Sequence, residues 1–165
     1  MKDDLQNSKE ENNAVKDKIE RYLEFDLGLE SYAVHLLSVK EVIPKPDTTP
    51  LPNAPIYFLG IMNLRGLIIS IVDLRKKLNI KSKKEHLEEA VVIVELEGIS
   101  IGLVVDSINK VLNVCVKDII EVPEIQSQVN AKFIQGVYKG KDNLTILIDL
   151  EGILNIKEIR KLSHE

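Results

Sequence analysis

Residues 58–74 read "FLGIMNLRGLIISIVDL" and residues 133–150 read "FIQGVYKGKDNLTILIDL". Each stretch has a glycine followed by an aliphatic residue, a polar turn-like patch, and an apolar run closed by Asp-Leu. Asp73 lies thirteen positions after Gly60, as Asp149 does after Gly136. The duplication extends backwards: "YLEFDL" (22–27) aligns with "VVIVEL" (91–96) at an offset of 69. The same offset pairs Val39 with Ile108 and Val42 with Val111, and by the Gly60–Gly136 pair it has grown to 76. The second copy therefore carries about seven extra residues in its middle loop, where insertion is easily tolerated.

Each copy reads as short apolar runs bounded by glycines, which is the pattern of successive strands. Gly28 and Gly98 sit in the first hairpin of each copy, and Gly66 and "KGKDN" in the last. About five short strands per copy are too few for a sandwich but suit a small closed barrel, which leaves no sheet edge exposed. Two such barrels are each marginal alone, so they are expected to pack together and share apolar surface. The expected division is 1–18 as a disordered polar tail, 19–85 as the first barrel with a contribution from the C-terminal helix, and 86–154 as the second barrel. Residues 155–165 form a C-terminal helix or tail. On this reading 22–78 and 91–154 are two copies of one barrel.

Composition narrows the function. The 165 residues carry a net charge of −4, and phosphate binding needs a concentrated basic face, so nucleic acid is not the expected partner. Only seven residues are aromatic and none is Trp, so Ile, Val and Leu must build the core. These favour pleated, half-buried surfaces. The start, "MKDDLQNSKEENNAVKDK", has no apolar signal-peptide region, and no apolar run is long enough to insert in a bilayer. A single cysteine, Cys115, excludes an internal disulfide and fits a reducing cytoplasm. In its strand-like run it reads as a small buried hydrophobe.

No catalytic constellation emerges. His35, His86 and His164 lack ligand-spaced partners, and no phosphate-binding, nucleophile-elbow or zinc motif is present. No cofactor or metal is expected. Asp73 and Asp149 tempt as paired carboxylates, but each precedes a short helical pattern and reads better as a helix cap. The loop "PKPDTTPLPNAP" (44–55) holds five of the six prolines and should be stiff and extended. Presentation to a partner and simple stiffening both remain open for it. Arg65 stands out at a hairpin tip, since Lys outnumbers Arg eighteen to four. A guanidinium there is either a recognition fork or a solvated turn residue.

The stretch "VKEVIPKPDTTPLPNAPIYFLGIMNLRGLIISIVDLRKKL" (39–78) resembles the signature of the CheW family, adaptors that couple chemoreceptors to the histidine kinase CheA. Val39, Glu41, Pro52, Pro55, Gly60, the Asn63–Gly66 turn and Asp73-Leu74-Arg75 carry the likeness; Ser70 departs from it, replacing the usual proline. The second half, "GLVVDSINKVL" and "FIQGVYKGKDNLTILIDLEGIL", fits too, so the likeness covers about residues 20–155. It implies a mainly β fold of two five-stranded SH3-like barrels with intertwined ends, short helices, and a hydrophobic core between the barrels. It implies no catalysis and a cytoplasmic place beside membrane-bound receptor arrays. By the resemblance, the receptor's cytoplasmic tip meets Val39, Glu41, Gly60 and Arg65; we expect Glu41 to hold the Arg65 guanidinium in place for it. The kinase regulatory domain meets Val91, Ile108 and Val111 on the second barrel. The alternative is an SH3-like binding module outside chemotaxis, or a CheW-like regulatory domain of another signalling system.

Overall fold

The computed structural model describes residues 17–81, 88–121, 131–141 and 143–164. Most of the expected tail, along with His86 and the side chain of His164, lies outside the described residues. The first copy runs β1 (Ile19–Leu27), β2 (Glu30–His35), a 3-10 turn (Leu36–Ser38), β3 (Val39–Pro44), β4 (Phe58–Leu64), β5 (Leu67–Asp73) and α1 (Leu74–Leu78). The second runs β6 (Ala90–Leu96), β7 (Ile99–Val105), β8 (Ser107–Cys115), β9 (Ile119–Ile120), β10 (Ile134–Lys139), β11 (Leu144–Ile148) and α2 (Leu150–Ile153). Helix α3 (Ile156–His164) follows.

The strands form two sheets, ordered β8-β1-β2-β11-β10-β9 and β3-β6-β7-β5-β4. The fold is thus mainly β, with two small barrels. The pairing does not follow the contiguous division at 85/86. Each copy lends its first hairpin to the other: β1–β2 joins β8–β11, and β6–β7 joins β3–β5. The boundaries 19–85 and 86–154, and the contiguous barrels 22–78 and 91–154, are corrected accordingly. We call the β3–β7 sheet the first barrel and the other the second.

The exchange is reciprocal to the residue. Tyr22 pairs with Leu112 and Val91 with Ile43, positions related by the offset of the repeat. Even the bulge recurs, opposite Glu24/Phe25 in β8 and between Val39 and Glu41 in β3. Because the copies are alike, a strand finds the same chemistry in its own copy as in the other. Parallel pairing of β5 with β7, and of β11 with β2, then locks the exchanged hairpins in place.

Each sheet buries both faces. Val72, Val92, Ile101 and Leu103 meet Phe25, Tyr32, Ile146 and Ile148 in one large core shared by the two sheets. Their strand neighbours turn into smaller separate clusters: Ile69, Ile71, Val91, Ile93 and Val104 in the first barrel, and Tyr22, Ala33, Val114 and Leu147 in the second. Two-sided burial explains why these strands read as continuous apolar runs. Ile159 of α3 adds to the shared core, and Arg160 donates to the Glu97 carbonyl in the β6–β7 turn. Tyr57 is pushed up to about 12 by burial and by its hydrogen bond to Glu158.

Asp73 caps α1 by accepting from the Lys76 N–H (3.3 Å). Asp149 occupies the matching position before α2, but its side chain makes no capping bond, which corrects half of the cap assignment. Cys115 is half-buried rather than buried. Ser70, where the resemblance expects proline, is buried in β5, and its hydroxyl finds no hydrogen-bond partner among the described residues. An unsatisfied buried hydroxyl is costly, so Ser70→Ala should stabilise the protein by about 1 kcal/mol. The check is a rise in the urea midpoint at unchanged m-value.

Candidate partner-docking site

The "NLRG" turn is built from its own residues. β4 ends at Leu64 and β5 starts at Leu67, leaving two linking residues, Arg65 (φ 52) and Gly66 (φ 89). Positive φ at both positions marks the tight hairpin turn whose twist matches that of the strands. Asn63 Oδ1 accepts from the Gly66 N–H (2.9 Å) and fixes the turn. An arginine in the left-handed region costs about 1 kcal/mol or more, where glycine or asparagine would fit freely.

Arg65 Nη1 and Nη2 donate to Glu41 Oε1 (3.0 Å) and Oε2 (3.2 Å), a bidentate fork. The Arg65 side chain is 74% exposed and that of Glu41 30%, so the pair contributes about 0–1 kcal/mol. That return does not exceed the strain of the turn. Stability therefore does not explain an arginine here; holding a fixed guanidinium on the surface does. The bulge in β3 contributes, since a bulge re-aims the side chains around it. Val39 is half-buried against the shared core beside this site.

Gly60 serves the site from beneath. It is buried, with φ 139, and an added Cβ would lie 2.2 Å from the Thr49 carbonyl oxygen. That close approach lets the proline loop strap the outer edge of β4: Thr49 N–H donates to Ile61 O (2.9 Å) and Ile61 N–H to Thr49 O (3.0 Å). The loop thus covers an edge strand that would otherwise present unpaired backbone. Gly60 thus sets the backbone beside the Arg65 turn without offering a side chain of its own.

The three residues expected on the kinase side are not brought together. Val91 belongs to β6, which lies in the first barrel, and it is 0% exposed within that barrel's aliphatic cluster. Its assignment as a contact residue of the second barrel is corrected on both counts, because the hairpin exchange carried it across. Ile108 is half-buried against the shared core, while Val111, on the end strand β8, is 40% exposed.

Sequence reasoning missed one buried hub. Arg75, in the first turn of α1, is 6% exposed. Its Nη1 lies 2.7 Å from Asp106 Oδ1, its Nη2 3.1 Å from Glu89 Oε1, and its Nε 3.5 Å from Asp73 Oδ1. Burial works against the charge, but Asp73, Asp106 and Glu89 outweigh it and raise the Arg75 pKa above its ordinary value. Asp106 in turn accepts from the Gly28 N–H (2.6 Å) in the β1–β2 turn, so the hub ties α1 to a hairpin of the second barrel. The scarcity of arginine was the available signal; the burial of this one was not.

Residues 21–158 match the CheW-like domain. The chain is 32% identical over 156 residues to the chemotaxis protein CheW of Treponema pallidum (strain Nichols), covering 92% of this chain and 91% of that protein. It is 28% identical over 136 residues to chemotaxis protein CheW of Bacillus subtilis (strain 168), covering 82% and 87%. In structure it resembles the scaffolding protein TtCheW from Thermoanaerobacter tengcongensis. The TM-score is 0.77 at 28% identity, over 86% of this chain and 91% of that one.

Proposed function

The chain belongs to the CheW-like family, and from that membership we propose that this chemotaxis coupling protein joins chemoreceptors to the histidine kinase CheA as a non-catalytic scaffold. It works in the cytoplasm, at receptor arrays. The receptor's cytoplasmic tip docks on the first barrel at Val39, Glu41 and Arg65, over the backbone that Gly60 sets. The kinase regulatory domain docks on the second barrel, where Val111 on β8 offers exposed apolar surface and Ile108, on the same strand, packs half-buried on the shared core.

The observation that carries the receptor side is the Arg65 fork: an exposed, strained arginine held in both directions by Glu41. Truncating an interface arginine of this kind typically costs about 2 kcal/mol, roughly a thirtyfold loss of affinity. Arg65→Ala should therefore weaken binding of a receptor cytoplasmic fragment about thirtyfold and leave binding of the CheA regulatory domain nearly unchanged. Titrating both partners against one preparation decides it. Equal losses for both would indicate a damaged fold, and no loss for either would make Arg65 a solvated turn residue.

A further inference from the structure

The internal repeat permits a comparison that neither barrel allows alone. Beside the Arg65–Glu41 fork, the first barrel has an open end: a cleft of about 300 Å³ bordered by Glu41, Arg65 and Leu67 and floored by Ile69 and Ile93. The floor residues are each 1% exposed, whereas Leu67 at the lip is 59% exposed. The register places Thr145 and Glu24 of the second barrel at the positions of Ile69 and Ile93. There the matching positions are polar and bonded to one another. Thr145 Oγ1 donates to Glu24 Oε2 (2.5 Å), and Asn109 Nδ2 to Glu24 Oε1 (3.1 Å) and Asp26 Oδ1 (2.9 Å). One fold thus carries two ends, one lined by its own hydrogen-bonded polar side chains and one left apolar and open.

We propose that the open end of the first barrel is a socket for an aliphatic side chain of the receptor segment that docks beside it. The inference rests on the receptor reading above and names what the receptor must supply. Charge points to an uncharged occupant. Glu41 is engaged by Arg65, and Lys40 by Glu95 (2.5 Å) and Ser100 (3.3 Å), so the charges at the lip are already matched. A charged side chain entering would lose its water against Ile69 and Ile93 with no counter-charge left to meet it. Size agrees: an apolar cavity of about 150 Å³ already accommodates a benzene-sized guest. The receptor is the occupant because the socket and the fork share Glu41 and Arg65, so a partner seated on one covers the other. The polar lining of the second barrel excludes the same insertion there, which gives the two barrels different partners from one repeated scaffold.

Two variants test the socket. Leu67→Asp puts a charge at its exposed lip, and Ser100→Phe fills it from the β7 wall. Asn143→Asp makes the corresponding change to Leu67→Asp in the second barrel. Each is titrated with a chemoreceptor cytoplasmic fragment and with the CheA regulatory domain, after the urea midpoint has shown an intact fold. Leu67→Asp and Ser100→Phe should each weaken the receptor fragment at least tenfold, with kinase affinity unchanged and Asn143→Asp silent. Should Ser100→Phe fail to fold, Leu67→Asp at its exposed position decides alone. Normal receptor affinity in these variants alongside a loss in Arg65→Ala overturns the socket and leaves the docking face standing. Normal affinity in all three, Arg65→Ala included, overturns the receptor reading itself. A loss confined to the kinase assigns the socket to the wrong partner and overturns it too.

Discussion

Arg75→Ala should destabilise the protein by about 3–5 kcal/mol, a large share of the roughly 5–15 kcal/mol that holds an ordinary domain folded. The reason lies in what remains. Asp73, Glu89 and Asp106 would stay buried around an empty position, with their neutralising guanidinium gone. Lys45, 2.8 Å from Glu89, can still answer one of the three carboxylates. Arg75→Lys restores charge but not the planar fork that reaches three acids at once, so it should recover only part of the loss. Urea unfolding of the three proteins measures this, and a loss under 1 kcal/mol in Arg75→Ala would show the hub to be dispensable. Exchange of the Gly28 amide, held by Asp106, should accelerate in Arg75→Ala beyond the change expected from global stability. The hub also sets an acid limit. Burial works to raise the Glu89 pKa, but Lys45 and Arg75 outweigh it and lower it in the folded state. A depressed carboxylate contributes stability above its unfolded value of about 4.3. That contribution is lost as pH falls through the folded value, and the loss should be smaller in Arg75→Ala.

Gly60→Ala should cost about 3 kcal/mol or more, and for a different reason. At φ 139 any L side chain is strained, and the new methyl would lie 2.2 Å from the Thr49 oxygen and 2.6 Å from its carbonyl carbon. Backbone cannot yield as a flexible side-chain end can, so the proline loop must lift and give up its paired bonds to Ile61. The repeat supplies the control. At Gly136 an added Cβ meets the Ile119 Cγ2 methyl at 2.5 Å, and φ there is not in the left-handed region. Relief there needs the Ile119 side chain to turn about χ1, with the Ile120 carbonyl oxygen farther off at 3.1 Å, so Gly136→Ala should cost less than Gly60→Ala. Equal losses at the two glycines would refute the claim that the Thr49 strap makes Gly60 indispensable. Faster exchange of the Thr49 and Ile61 amides in Gly60→Ala would locate the damage.

Much of this protein follows from local chemistry. The tight turn at Arg65-Gly66, the helix cap at Asp73 and the strand alternations each depend on neighbouring residues, and each is readable in order along the chain. The repeat, and from it the two barrels with a shared core, follows from periodicity and apolar content. So does attention to Arg65, through the scarcity of arginine. Strand partnership is different. Because the copies are alike, Tyr22 could meet the β3 of its own copy or the matching strand β8 of the other, and nothing local separates the two choices. Tertiary closure chose the other copy, and that choice buried Val91 in the first barrel rather than the second. It also brought Asp106 from the end of β7 against the Arg75 guanidinium and the Gly28 N–H, three positions remote in sequence whose contacts exist only once the hairpins have crossed. Residue types and their spacing determined the units by themselves; long-range pairing, which draws its energy from contacts between distant segments, determined how those units interlock.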